Sequence, residues 1–327
     1  MNRKQCCAVL LAAALCCGGA ASAATITLYA AGPGGLDRAL ASAFEKASGN
    51  KVELWASSTG KVLARLQAES ANPRADVVIL ADQSAGLALQ EQGVVAPYRP
   101  QAVLDKLRPA LDLPSDFLPM GADTVAMVVN TQHGAGGQVP KDWDDLVKPA
   151  YKDQVSMPNP LLSGTCADFV LGFAQQRKDG GWPFFASLKR NGAIWPGPNA
   201  AALAPVKLGA REVLMAGVGH TSLAAKKKGN SLDLVLPESG TLLIPRPLVI
   251  LKSSKEMKAA RQFVDFVMSD AGQQLVAKAL LIPAVSHVKA NAIWPDLDHA
   301  HFWKVDWNRM AKDRAATLKR FDAEVIH

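Results

Sequence analysis

Three short segments of this chain share one design. Ala31-Gly32-Pro33-Gly34, Ser57-Ser58-Thr59-Gly60-Lys61 and Ser163-Gly164-Thr165 each set glycine or hydroxyl residues at the end of a strand-like run and before a helix-like one. The first turn of a helix has backbone N–H groups without intrahelical partners and a partial positive charge, so such a junction favours an anion. Ser and Thr hydroxyls add further donors. The same residues also cap helices for purely local reasons, so one junction alone decides nothing, whereas three at strand ends point to a shared anion site. Gly32, Ser57, Ser58, Thr59, Ser163, Gly164 and Thr165 are therefore candidate ligand-binding residues, with Ser58-Thr59-Gly60 the fullest instance of the pattern.

Two further residues fit an anion site. Arg246, between Pro245 and Pro247, can grip a carboxylate or phosphate with two parallel N–H groups, or form a structural ion pair. His220, in Gly219-His220-Thr221-Ser222, follows a strand-like run and can face a cleft or simply pack. Lys61 can add a charge or point into water. Catalysis has no comparable signature. The chain has no G-x-S-x-G elbow, P-loop, H-E-x-x-H or clustered Cys/His set, so no catalytic, metal-binding or cofactor-binding residue is expected. His299 and His301, two apart, would point to different sides of a strand or helix.

These residues need elements to position them. Thr25 to Ala31 alternates as a strand should, Leu36, Leu40, Ala43 and Phe44 recur at helical spacing, and Val52 to Ala56 is a second strand. A helix carrying Val62, Leu63 and Leu66 follows. Asp76 to Leu80 reads as a buried strand and Ala85 to Glu91 as a helix. This alternation predicts an α/β lobe with a mostly parallel sheet, whose post-strand loops share one edge. From Thr124 to Asn130 another strand starts a second such lobe, with a short helix at Trp143 to Leu146, a helix at Ala167 to Gln176 and strand-like runs at Val213 to Thr221 and Leu232 to Leu236. Pro245-Arg246-Pro247 leads back to Leu248 to Leu251 and two helices, Glu256 to Met268 and Ala271 to Ala279. The expected division is lobe 1 over 24–124 and 246–327 and lobe 2 over 125–245, with two crossings between them.

The beginning of the chain reads as an export signal. Arg3 and Lys4 precede an apolar stretch, Ala8 to Cys17, and a small, uncharged run to Ala24, with cleavage expected after Ala23. The apolar stretch is about half the ~20 residues a membrane-spanning helix needs. Of five cysteines, Cys6, Cys7, Cys16 and Cys17 lie in the segment to be removed, which leaves Cys166 and no intramolecular disulfide. Without Arg3 and Lys4 the formal charge of +7 becomes +5, a mild bias toward anions. The only compact basic run is Lys226-Lys227-Lys228, and no nucleic-acid partner is expected.

Taken in order, several segments resemble one family. They are Ser58-Thr59-Gly60 with Leu63 to Leu66, Ala75 to Val78 with Ala81-Asp82, Ser163-Gly164-Thr165, Pro237-Glu238-Ser239-Gly240-Thr241, Pro245 to Lys252, and Ala259 to Gln274 ending in Leu281-Ile282-Pro283. This ordered set resembles the periplasmic solute-binding proteins of ABC importers, in the branch that holds ferric-iron, thiamine, 2-aminoethylphosphonate and phosphate-ester binders. The resemblance implies the type II fold, two α/β lobes closing on a ligand around a hinge. It also implies a periplasmic monomer that delivers its solute to an inner-membrane permease. It adds Asp82 and Glu238 to the candidate ligand-binding residues, with Glu238 and His220 meeting the ligand's polar or cationic end. The iron-binding members use adjacent tyrosines where this chain has Gly219-His220-Thr221-Ser222, and its only tyrosines are Tyr29, Tyr98 and Tyr151. The expected cargo is thus a phosphonate or phosphate ester such as 2-aminoethylphosphonate. The alternatives are ferric iron or a molybdate-like oxyanion in the same fold, or an exported phosphate-ester hydrolase.

Overall fold

The computed structural model describes residues 23–132, 139–297 and 299–327. The expected export segment, apart from Ala23, lies outside the described residues. Ordered alternation opens the fold: β1 (Thr25–Ala30), α1 (Gly34–Ser48), β2 (Lys51–Ala56), α2 (Thr59–Ala68), β3 (Val77–Ile79) and α3 (Gln83–Glu91). β1 pairs in parallel with β2 on one side and β3 on the other, so the loops leaving all three strands emerge at one edge. Helix α1 stops at Gly49, which takes the left-handed conformation (φ 77°) that glycine adopts without a steric penalty. After β4 (Val95–Ala96) and α4 (Gln101–Leu104), the chain enters β5 (Leu118–Asn130), whose 13 residues are all buried.

β5 begins six residues earlier than the apolar run suggests. Pro119 and Gly121 lie ahead of that run, and in the structure they fall at a register shift between Pro119 and Ala122, where an irregular strand tolerates both residue types. The second lobe then contains β6 (Val155–Ser156), α5 (Gly164–Gln176), α6 (Trp182–Arg190), α7 (Asn199–Lys207), β7 (Val213–Val218), α8 (Gly219–Lys227) and β8 (Leu232–Val235). The chain returns through β9 (Leu243–Leu251) to α9 (Met257–Met268), α10 (Asp270–Lys278), β10 (Ile282–Pro283) and α11 (Trp307–Phe321). The strand order is β2-β1-β3-β9-β5-β7-β6. β6 and β7 run parallel, while β5 and β9 run antiparallel to each other through the middle.

β5 and β9 make the two crossings. Side chains stitch them at the waist: Thr124 Oγ1 donates to the Leu242 carbonyl (2.9 Å) and Thr241 Oγ1 to the Val125 carbonyl (2.7 Å). A separate apolar core lies on each side. Phe44, Phe263 and the α9 stripe of Ala260, Val264 and Val267 fill the first, and Trp143, Phe169, Phe173 and Phe185 the second. The single thiol, Cys166, is buried in that second core and donates to the Pro158 carbonyl.

The last residues depart from the expected lobe boundaries. Trp303, Met310, Phe321 and Val325 pack into the second core, although the chain has just left the first. α11 lies across both lobes, against α3 of the first and α5 of the second. Its buried face is narrow and its remainder highly charged, so its sequence looks like a solvated tail. The three helices enclose buried charges. Asp168 of α5 accepts hydrogen bonds from the Gln83 and Ser84 amides at the start of α3 (2.7 and 3.4 Å), and Arg314 of α11 pairs with Asp82 at 2.6 Å. Removing the cation of a buried pair leaves an uncompensated carboxylate, which typically costs about 3–5 kcal/mol. Arg314→Met should show a loss of this order in urea unfolding, and adding Asp82→Asn should recover a large part of it.

Candidate functional site

The loops leaving the strands meet at the waist around a cavity of about 460 Å³. From the first lobe come Gly32 and Pro33 after β1, Ser57, Ser58, Thr59 and Lys61 after β2, and Ala81 after β3. The second lobe contributes Leu162 to Thr165, Pro198 to Ala200, and His220 with Thr221. Arg246 on β9 reaches the cavity from the hinge. The helices beginning at these loops are α1, α2, α5, α7 and α8, so five N-terminal turns border one space. Asn199 and Thr221 line the cavity without belonging to any of the three glycine and hydroxyl junctions of the sequence. Pro198-Asn199 before an alanine run was an available signal for α7, as was the loss of alternation at Gly219 for α8. His220 stands in the first turn of α8, and Ser222 Oγ bonds back to the Val218 carbonyl (3.0 Å) where the strand gives way to the helix.

Close packing brings the lobes together. A Cβ on Gly60 would stand 2.5 Å from the Leu161 carbonyl oxygen, and one on Gly164 2.0 Å from Asp82 Oδ1 and 2.6 Å from Thr59 Oγ1. Glycine at these positions lets loops from opposite lobes touch.

The hydroxyls divide into two groups. Thr59 Oγ1 accepts from the Ala81 amide and Thr165 Oγ1 donates to the Ala81 carbonyl, each at 3.2 Å. Ser163 Oγ donates to Asn199 (2.6 Å) and accepts from the Cys166 amide (3.2 Å), as an N-cap does. What these three residues offer the cavity is helix-start backbone. Ser57 and Ser58 are half-buried on its wall, and neither hydroxyl has a hydrogen-bond partner among the described residues.

Arg246 is 2% exposed. Its Nη2 donates to the Ala31 carbonyl (2.7 Å) and Nη1 lies 3.9 Å from Asp123, while Nε and Nη1 have no hydrogen-bond partner. Burial pulls its pKa below the ordinary value, and Asp123, Asp37 and Asp82 oppose that pull. Asp123, fully buried, holds His220 through a close Nδ1 contact, leaving Nε2 beside Thr221 Oγ1 at 3.1 Å. An acidic residue inside the apolar β5 run was the sequence signal for this support.

Two acidic candidates lie elsewhere. Asp82 is fully buried behind the wall, paired with Arg314, and does not line the cavity. Glu238 sits exposed on a turn after β8, its amide bonded to the Lys141 carbonyl (3.0 Å), and does not line the cavity. None of the three tyrosines lines the cavity. Among the described residues, no group of three or more His, Cys, Asp or Glu is placed to hold a metal.

Asp37, in the first turn of α1, is buried against Gly32 with neither oxygen hydrogen-bonded. Burial pushes its carboxyl up to about 7, against the pull of Arg246. The folded protein therefore keeps this proton up to about pH 7, whereas an unfolded aspartate releases it near 3.8. The stability this residue allows is present below the unfolded value and is lost as pH rises through 7. Asp37→Asn should melt a few degrees higher than the parent at pH 8, and the gap should close as the pH falls toward 4 in a thermal-melt series.

Comparison with known proteins bears on the whole of this architecture. The chain is 24% identical over 312 residues, 92% of its length and 86% of the relative's, to a probable ABC transporter periplasmic-binding protein of Sinorhizobium fredii. It is 23% identical over 298 residues, 85% of its length and 84% of the relative's, to a putative 2-aminoethylphosphonate-binding periplasmic protein of Salmonella typhimurium. Among solved structures, the periplasmic binding protein AfuA of Actinobacillus pleuropneumoniae with fructose-6-phosphate bound superposes with a TM-score of 0.85, at 22% identity over 92% of this chain and 98% of that one. Iron-bound HitA of Pseudomonas aeruginosa gives 0.81 at 21% identity, over 90% and 98%. With the model of the bacterial extracellular solute-binding proteins matching residues 72–313, the chain belongs to that family, the solute-binding proteins of ABC importers.

Proposed function

We propose that the cavity holds the phosphoryl or phosphonyl end of a small organic anion, which the protein collects after export and carries as a monomer to an inner-membrane permease. The observation behind this reading is Arg246: a fixed cation at the hinge whose Nε–H and Nη1–H are buried without partners, on the wall of a space ringed by helix N-termini. Buried donors without partners are costly, and an anion oxygen would satisfy both. Ser57, Ser58 and the first amides of α2, α5 and α8 would take the remaining oxygens. Three or four charge-assisted hydrogen bonds at about 1.5–3 kcal/mol each suffice for micromolar binding, about 8 kcal/mol, after the cost of closing the lobes.

Phosphonates and phosphate esters are the ligand classes this geometry favours, with 2-aminoethylphosphonate and fructose-6-phosphate as probes, since one relative is named for the first and a solved neighbour holds the second. A ferric ion wants hard anionic oxygen ligands, and the cavity wall offers hydroxyls, amides and cations instead. Protein freed of endogenous ligand by unfolding and refolding should melt at a higher temperature with a phosphonate or phosphate ester. A shift with ferric citrate alone would overturn the reading. By calorimetry, Ser58→Ala should weaken binding about tenfold, the worth of one hydrogen bond. Arg246→Lys should weaken it on the order of a hundredfold or more, because an ammonium cannot present the guanidinium's fork.

A further inference from the structure

The charges on the cavity wall say something about the other end of the ligand. Among the described residues lining it, the side chains that can carry charge are Lys61, Arg246 and His220, and none is Asp or Glu. No Phe, Tyr or Trp ring lines it either, so a cation would find none of the π faces that hold one best. Five helix N-termini add partial positive charge. The nearby carboxylates are withdrawn behind the wall. Asp123 is held by His220 and the Thr124 amide, Asp82 by Arg314, and Asp37 is fully buried behind Gly32. By contrast, Ser57 and Ser58 offer unpartnered hydroxyls, and the exposed Lys61 forms no ion pair among the described residues.

From this inventory we infer that the site selects a phosphoryl or phosphonyl compound whose second end is neutral or acidic, and discriminates against one that carries an ammonium. The inference rests on the anion-site reading above and narrows it. An ammonium drawn into this cavity would lose water without gaining a carboxylate or an aromatic partner, and an unpaired charge is costly to desolvate. It would also face Lys61 and the helix starts, which repel it. A hydroxyl or carboxylate in the same place would meet donors. The cavity, at about 460 Å³, falls in the range of sites for small organic molecules, ~300–1,000 Å³, so the ligand's second end lies inside the site.

Three phosphonates with a shared head separate the possibilities: 2-aminoethylphosphonate, 2-hydroxyethylphosphonate and phosphonoacetate, titrated calorimetrically into the ligand-free mature chain at neutral pH. The hydroxyl and carboxylate compounds should bind at least tenfold more tightly than the amine. Equal or tighter binding of the amine would overturn the inference while leaving the anion site standing. No binding by any of these phosphonates or by phosphate esters would remove the anion site, and the inference with it. A second variant tests the cause. Ala200→Asp, at an exposed position in the first turn of α7 on the cavity wall, supplies the missing carboxylate where a helix start tolerates one. It should shift the amine-to-hydroxyl affinity ratio at least fivefold toward the amine. An unchanged ratio in a variant with the parent's melting temperature would show that wall charge does not set the preference.

Discussion

A guanidinium buried at the hinge with two unpartnered N–H groups is the feature around which this protein is arranged. Arg246 is anchored through Nη2 to Ala31, at the end of β1, and stands near Asp123 on β5. It thus joins the two crossing strands to the first lobe's binding edge. Burying such a cation is tolerable only where opposite charge lies close, and Asp123, Asp37 and Asp82 all lie near enough to act on it. Asp123 also fixes His220, so one carboxylate on a crossing strand orients a group from each side of the cleft. The residue itself lines the space where the lobes meet.

The same economy of buried charge appears on the far side of the binding loops. Asp82, Asp168 and Arg314 come from the first lobe, the second lobe and the C-terminal helix, and they meet where α3, α5 and α11 pack. Burial and the neighbouring Asp82 push the Asp168 carboxyl upward, opposed by Arg314 and by the α3 amides it accepts. These contacts join the two lobes through polar groups, beside the apolar packing of α11 on both. The glycines at 60 and 164 complete the arrangement, because their missing side chains set how near the loops approach.

The helix starts around the cavity explain why hydroxyls matter less than their number suggests. Thr59, Thr165 and Ser163 use their oxygens to hold loops in place. They fix the helix-start loops that border the cavity, whereas the Ser57 and Ser58 hydroxyls on its wall have no partner among the described residues. A sequence that shows Ser and Thr after a strand cannot distinguish the two uses, since both satisfy the same local chemistry.

Much of the first lobe was legible because its signals are local. Alternation in β1, the stripe of α1 and the Ser-Ser-Thr-Gly junction are each written in adjacent residues, and so was the order of segments that resembles the solute-binding family. Glu238 looks equally suitable beside Pro237 and Ser239, yet its turn lies outside the cavity, held to Lys141. Nothing near Asn199 or Asp123 in the chain reveals that either serves the same space as Ser58. Likewise the charged stretch of α11 reads as solvated, although Phe321 is buried in the second core and Arg314 is buried against Asp82 of the first lobe. The sequence by itself determined the starts of α1, α2 and α5, the strand-like runs before them and the bias of their junctions toward anions. Only the tertiary structure decided which of these converge, which hydroxyls remain free and which carboxylates are kept from the cavity, because those outcomes depend on contacts between residues far apart in the chain.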